Sequence, residues 1–173
     1  MRSQQLARDI GIGLLAGLVA TKVTEYGQQA LWSLTPEDIR RQERAVRPGP
    51  PYRVAAEKIA DLTPAEPSDE QLDRAGMALH YGSGVLWGTV YCLMRRAAGM
   101  ESLGAGIAAG TSMSVLLDEL VTPALGFSAP NEDYPAAAHV RGLLGHLVYG
   151  LALAGTAEVL YRLAEPGKPN QQT

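Results

Sequence analysis

The stretch AGMALHYGSGVLWGTVYCLM, residues 75–94, contains no Asp, Glu, Lys or Arg and ends at Arg95 and Arg96. As a helix, these residues extend about 30 Å, which is the thickness of the hydrocarbon core of a bilayer. A helix buried in a soluble protein of this size has little reason to be so long and so uniformly uncharged. We therefore interpret the stretch as a transmembrane helix.

Three further segments have the same character and predict an all-α fold, an integral membrane bundle of four transmembrane helices. The predicted spans cover about residues 9–32, 73–97, 102–125 and 139–163. The whole chain is expected to form a single membrane domain. A polar tail, 165–173, is predicted to be disordered because its composition supports no core.

The polar loop between the first two spans, 33–72, is predicted to be partly helical and extracytoplasmic. Thr35 is interpreted as the N-cap of a short helix that ends near Val46, and a second short helix is expected over 54–61. Ser68 and Gln71 have the spacing of a capping box, which predicts the start of the second span.

Composition excludes several classes of protein. The chain has 173 residues, a formal net charge of −3 and a single cysteine, Cys92. One cysteine excludes an internal disulfide and a multi-thiolate metal site. The balanced charge gives no electrostatic signature of nucleic-acid binding. Because neither a nucleophile–base pair nor a cofactor-binding loop can be recognised, we expect no enzymatic activity and no cofactor.

Basic residues predict the orientation. In a four-span arrangement, one side of the membrane receives three basic pairs, Arg2 with Arg8, Arg95 with Arg96, and Arg162 with Lys168. The positive-inside rule assigns that side to the cytoplasm. We therefore expect a multi-pass protein of the bacterial inner membrane with both termini in the cytoplasm and the lipid bilayer as its first partner.

Ionisable residues fall at a similar depth in all four predicted spans. Measured from the outer ends, several lie roughly 7–11 Å deep at the helical rise. The candidates for a shared network are Lys22, Glu25, His80, Asp118, Glu119, Arg141 and His146. Ionisable groups inside a membrane indicate a functional site by default, since each costs free energy to hold there.

Three interpretations of this layer stay open. It is a proton or ion relay, a metal site built from His80, His146, Glu25 and Glu119, or a structural network that neutralises itself. The structural alternative pairs Lys22 with Glu25 or Asp118, and His146 with Glu119. The metal signal is weak because no helix has an HxxH or ExxH spacing. Near the inner end of the last span, Glu158 is expected to pair with Arg162.

Glycines at four-residue spacing predict the helix contacts. The expected packing positions are Gly13, Gly17, Gly84, Gly88, Gly106 and Gly110. Small residues at this spacing allow two helix backbones to approach closely in lipid.

These residues resemble the YagU-like family of small bacterial inner-membrane proteins, a domain of unknown function. The similarity is carried by residues 13–19 with Lys22 and Glu25, His80, Tyr91–Cys92, 104–110, Thr122–Pro123, Gly126, Pro130, 145–148, Glu158 and Arg162. Asp118 and Glu119 depart from the family pattern, in which a histidine is expected nearby. The resemblance implies a four-span inner-membrane protein that self-associates and is linked to acid tolerance.

Three functions follow in order of preference. The first is a non-enzymatic membrane protein of the acid-stress or envelope type that binds or relays protons or ions. The second is an accessory or scaffold subunit that packs against itself or a larger membrane complex through its glycine faces. The third is a metal-dependent intramembrane enzyme.

Overall fold

The computed structural model describes residues 3–64 and 66–164, which are mainly helical. The helices are α1 (Ser3–Leu34), α2 (Glu37–Val46), α3 (Pro51–Ala60), α4 (Asp69–Arg96), α5 (Ser102–Met113), α6 (Thr122–Ala124) and α7 (Ala136–Ala164). A π-helical segment, Ser114–Val121, joins α5 to α6, and a 3-10 turn, Asn131–Asp133, precedes α7. The all-helical prediction is confirmed. The predicted disordered tail, 165–173, lies outside the described residues.

Four long helical stretches form a ring. Helix α1 packs against α4 and α7, while α5 packs against α7 and, over a smaller area, against α4. The short helix α3 lies along α4 near the start of that helix. The ring leaves room between the helices at the end where α2 and α3 lie.

Of the two predicted helix starts, the capping box before α4 is confirmed and the Thr35 cap of α2 is not. Ser68 accepts a hydrogen bond from the backbone N–H of Gln71, and the Gln71 side chain accepts one from the backbone of Ser68, so the predicted capping box is present. The prediction that Thr35 caps α2 is wrong. Helix α1 continues to Leu34, and the Thr35 hydroxyl donates instead to the carbonyl of Leu31, one turn back.

The third long stretch consists of α5, the π-helical segment and α6, and its helix type changes just before Pro123. Proline has no N–H, so it cannot donate to the carbonyl four residues earlier, which belongs to Glu119. The side-chain amide of Asn131 donates to that carbonyl instead, at 2.8 Å. The preceding residues, Ser114–Val121, form the π-helical segment, a feature that is frequent at functional sites.

The bundle core is built from small residues. Apart from Tyr91, Tyr149 and Leu153, the most deeply buried side chains are small ones such as Ala16, Ala105 and Ala157. Large apolar side chains instead occupy the exposed faces of the helices. Small residues bring helix axes close together without relying on burial of large apolar groups.

One of the four predicted spans is long enough, and apolar enough over part of its length, to meet a simple test for membrane crossing. Within the described residues this is α7, whose best window has a mean hydropathy of 1.5. Helix α1 carries Lys22 and Glu25 in its second half, and the third stretch contains Asp118 and Glu119. Membrane insertion of all four stretches, including α4 with its uncharged residues 75–94, stays a prediction.

Candidate functional site: a polar chamber between the helices

A cavity of about 830 Å³ lies between α1, α4, the π-helical segment and α7, beside α2 and α3. We call it the polar chamber. Its lining includes six of the seven residues predicted for the ionisable layer, namely Glu25, His80, Asp118, Glu119, Arg141 and His146. Lys22 is not part of the lining but its amino group lies 2.6 Å from a carboxylate oxygen of Glu25.

The first ionisable cluster joins α1 to α4. Glu25 binds Lys22 through one carboxylate oxygen, and its other oxygen lies 3.7 Å from Nε2 of His80. The His80 ring also lies against the ring of Tyr52 from α3, with centroids 5.2 Å apart. Glu25 is therefore shared between a permanent cation and a histidine that gains a positive charge when it is protonated.

The second cluster joins the π-helical segment to α7. Nδ1 of His146 lies 3.0 Å from the carbonyl oxygen of Gly142 and 3.2 Å from Oδ2 of Asp118. A carbonyl oxygen only accepts, so Nδ1 carries the proton in the neutral ring. Nε2 is then the atom that takes up a second proton. The expected partner of His146, Glu119, is replaced by Asp118 because neighbouring residues on a helix point in different directions.

The third cluster uses His139, which is not among the seven residues predicted for the ionisable layer. Nδ1 of His139 lies 2.8 Å and 2.9 Å from the two carboxylate oxygens of Glu119. Its Nε2 lies 3.1 Å from the carbonyl oxygen of Asn131. Both ring nitrogens therefore face acceptors, a geometry that suits the doubly protonated imidazolium. His139 and His146 are seven residues apart, which places them on one face of α7 two turns apart.

Arg141 is held by a residue that the sequence did not single out. Its Nη2 donates to both carboxylate oxygens of Glu43, at 2.6 and 2.5 Å, and its guanidinium lies 4.8 Å from the centre of the Trp32 ring. The Glu43 side chain is only 4% exposed. Glu43 is the buried residue of α2, so this ion pair attaches α2 to α7. An arginine in an otherwise apolar helix was the sequence signal that such a partner exists.

A separate group of ion pairs, centred on Arg53, attaches α3 to α4. The guanidinium of Arg53 donates to Asp69 at 2.7 Å, to Asp73 at 2.5 Å and to Glu57 at 2.8 Å. These acidic partners raise the pKa of Arg53 above its ordinary value. Burial raises the pKa of the neighbouring Tyr52, which keeps its hydroxyl protonated. The two short helices are thus held over the chamber by ion pairs at separate points.

Residues 51–154, from the start of α3 through most of α7, match a family model described as "Protein of unknown function (DUF1440)". The match covers more than half of the chain. The chain belongs to the DUF1440 family. No curated protein and no solved structure matches it.

The DUF1440 match contains two of the chamber's three histidine–carboxylate pairs, Asp118 with His146 and Glu119 with His139. His80, Asp118, Glu119, His139 and His146 lie within the matched residues. Helix α1, which supplies Lys22 and Glu25, precedes the match, as does Glu43 on α2. The pairs formed with α1 and α2 are therefore features of this DUF1440 chain that the family match does not cover.

The four residues proposed as metal ligands do not come together. Glu25 lies near His80, whereas His146 contacts Asp118 and Glu119 contacts His139. Across residues 3–64 and 66–164, no group of three or more His, Cys, Asp and Glu side chains is arranged to hold a metal ion. The metal interpretation loses its geometric basis in this part of the chain.

The six predicted packing glycines lie at two helix contacts inside the bundle. A Cβ built on Gly13 would lie 2.7 Å from the carbonyl oxygen of Gly88, and one on Gly17 would lie 2.6 Å from that of Gly84. A Cβ added at any of the other four predicted glycines would also clash. At Gly84 it would meet Thr21, at Gly88 it would meet Gly13, at Gly106 it would meet Gly150, and at Gly110 it would meet His146. The first four join α1 to α4, and the last two join α5 to α7.

At the opposite end of the bundle, ionisable groups form contacts that differ from those predicted from the sequence. Glu158 forms an ion pair with Arg95 at 3.1 Å, across helices, instead of with Arg162 one turn away. Asp9, which is buried on α1, lies 3.6 Å from Nε of Arg96 on α4. Nearby, the hydroxyl of Tyr161 donates to the buried Sγ of Cys92. These contacts fasten α1, α4 and α7 together.

Proposed function

We propose that this DUF1440 chain is a non-enzymatic, multi-pass protein of the bacterial inner membrane whose polar chamber takes up and releases protons. The observation that carries the proposal is the environment of its histidines. The chain has three, and each lies in the chamber beside the carboxylate of a different acidic residue. Histidine is the side chain whose charge changes near neutral pH, so the chamber gains positive charge on acidification.

The distribution of apolar residues supports membrane insertion. Large side chains point away from the bundle on every long stretch, for example Leu15 and Leu18 on α1, Leu86 and Leu93 on α4, Leu103 and Leu120 on the third stretch, and Leu151 and Val159 on α7. Their partners in the core are mostly glycine and alanine. Exposed apolar surface on this scale marks contact with a membrane or a partner, and lipid suits an apolar surface on all sides of a bundle.

The orientation follows from the charges at the two ends. Basic residues of α1, α4 and α7 favour the cytoplasm for the end that holds Arg95 and Arg96. The polar chamber, with α2 and α3 beside it, then faces the outside of the inner membrane. A proton-binding chamber on that side suits a role in acid stress or in the envelope, which agrees with the resemblance to the YagU-like proteins.

The scaffold alternative has less support. Its binding surface was to be the glycine faces, but the predicted glycines are occupied by contacts between helices of the same chain. We therefore propose the lipid bilayer as the principal partner of the outer helix faces, and no specific observation favours a nucleic acid or a second protein.

Labelling of single cysteines tests the orientation. In a Cys92→Ala background, Leu62→Cys places a thiol in the exposed turn that follows α3, and Ala98→Cys places one just after α4, whose 28 residues extend about 42 Å. In right-side-out vesicles, a membrane-impermeant maleimide is expected to label the cysteine at position 62 and to reach that at position 98 only after the membrane is opened. Labelling of both positions in sealed vesicles would contradict a membrane-spanning α4.

Nuclear magnetic resonance of ¹⁵N-labelled histidine tests proton uptake, because the whole chain contributes three histidine signals. In nanodiscs, at least one of them is expected to change its protonation state between about pH 8 and about pH 5. The pairing predicts which signal each substitution affects. Glu119→Gln removes the negative partner of the His139 imidazolium, so His139 should lose its second proton at a lower pH than in the unmodified chain.

The matched substitutions provide the control. Asp118→Asn is expected to change chiefly the signals of His146, and Glu25→Gln chiefly those of His80, because each substitution removes the carboxylate beside that histidine. Three histidines that keep one protonation state throughout the range, or that respond equally to all three substitutions, would contradict proton binding by separate pairs.

A further inference from the structure

We propose that the polar chamber also binds an organic cation with an apolar body, and that this cation competes with protons. The inference deepens the proposed function and rests on it, since the same histidine–carboxylate pairs take part. It depends on three properties of the chamber, which are its volume, its charge and the chemistry of its walls.

The volume exceeds what proton binding requires. Protons move along hydrogen-bonded side chains and single waters, whereas a chamber of about 830 Å³ lies within the range of small-molecule pockets, roughly 300–1,000 Å³. The packing elsewhere in the bundle is close enough for glycine Cβ positions to clash with neighbouring backbone. The open space of the chamber thus lies where the ionisable groups meet, away from the close glycine contacts.

The charge of the chamber favours a cation. Its guanidinium groups are engaged by acidic residues, Arg141 and Arg47 by Glu43, and Arg53 by Asp69 and Asp73. Three carboxylates are left, those of Glu25, Asp118 and Glu119, and they face three histidines and the amino group of Lys22. With neutral histidines these groups sum to two negative charges, from three carboxylates and one ammonium.

Protonation reverses that balance. If all three histidines become cations, the same groups carry four positive and three negative charges, a net charge of one positive. An organic cation held by the carboxylates is then repelled and loses its partners to the imidazolium groups. Protons and the organic cation therefore compete for the same negative charge, without any need for them to contact the same atom.

The walls suit an organic cation better than a bare metal ion. The described residues supply no group of three metal-ligating side chains. They do supply the ring of Tyr52 together with the half-exposed side chain of Met77. Aromatic faces attract cations, and methionine side chains adapt to apolar bodies of irregular shape.

A matched pair of ions tests the charge preference. Tetraphenylphosphonium and tetraphenylborate have nearly the same shape and opposite charge. Equilibrium dialysis of each against nanodiscs containing the full chain, with protein-free nanodiscs subtracted, measures binding to the protein. At about pH 8 we expect saturable binding of tetraphenylphosphonium, weaker by roughly tenfold or more at about pH 5, and no saturable binding of tetraphenylborate.

Two substitutions locate the site. Asp118→Asn is expected to weaken binding of tetraphenylphosphonium by roughly tenfold or more, because it removes a chamber carboxylate and keeps the side-chain shape. Glu25→Gln removes a second carboxylate on another helix and serves if the first variant folds poorly. The control is Asp38→Asn, an exposed acid of α2 outside the chamber lining, which should bind as the unmodified chain does.

The outcomes separate the two proposals. Equal saturable binding of the two ions, or unchanged binding by both chamber variants, overturns the cation site even when the histidines titrate as expected. A different result would be histidines that do not titrate, together with cation binding that is selective, depends on Asp118 and has the same affinity at every pH. That result overturns both the proton chamber and the competition.

Discussion

Gly88→Ala is expected to destabilise the bundle by about 1–3 kcal/mol, the usual cost of forcing an extra methyl group into a close-packed contact. The added Cβ would clash with the carbonyl oxygen of Gly13 and would lie 2.9 Å from Cα of Gly17. Both obstacles are backbone atoms, so α1 must move away from α4 to make room. Thermal unfolding in detergent, followed by circular dichroism, measures the loss of stability.

Gly82→Ala provides a matched control on the same helix. Gly82 is exposed and a Cβ there meets nothing within 4 Å, so only helix propensity changes. Alanine is favoured over glycine by about 1 kcal/mol in a helix interior, and this variant should be as stable as the unmodified chain or slightly more so. If Gly88→Ala were also neutral, the close contact between α1 and α4 would be refuted.

Arg141→Met is expected to cost about 3–5 kcal/mol, the range found when one member of a buried ion pair is removed. The Glu43 carboxylate stays buried and keeps only the guanidinium of Arg47, 3.7 Å away. Methionine keeps a side chain of similar length but removes the guanidinium, which both pairs with Glu43 and lies over the Trp32 ring, so a control is needed to separate the two contacts. Because the pair attaches α2 to α7, hydrogen exchange should accelerate first in α2.

Arg44→Met is the control for this prediction. Arg44 lies over the same Trp32 ring, 5.9 Å from its centre, but its ion pair with Glu37 is half exposed. Exposed pairs contribute roughly 0–1 kcal/mol, so this variant should lose little stability. Similar losses for the two variants would show that Arg141 acts through the ring and not through Glu43. The double variant Glu43→Gln with Arg141→Met should recover part of the lost stability, since no unpaired charge is left in the buried site.

Ion pairs join the chamber to the elements beside it. Glu43 connects α2 to Arg141 on the chamber wall, and Arg53 connects α3 to the start of α4. The His139–Glu119 pair lies next to the Asn131 contact that replaces the hydrogen bond lost at Pro123. A change of charge in the chamber therefore acts on groups that also hold the short helices in position.

Local sequence determined the helices and the kind of residue that meets inside the bundle. The capping box at Ser68 fixed the start of α4, and glycines four residues apart identified the faces that approach closely, since both signals act within one or two turns of a helix. Equal depth along neighbouring helices was enough to predict that Glu25, His80, Asp118 and His146 share one region.

Tertiary structure alone decided which of these groups become partners. The π-helical segment before Pro123 orients Asp118 toward His146 and Glu119 toward His139, and α2 folds back so that Glu43 reaches Arg141. Glu43 and Arg141 are far apart in sequence, and no periodicity within either helix links them. Depth along a helix follows from counting residues, whereas the choice of partner depends on the rotation and approach of separate helices, which only their packing together defines.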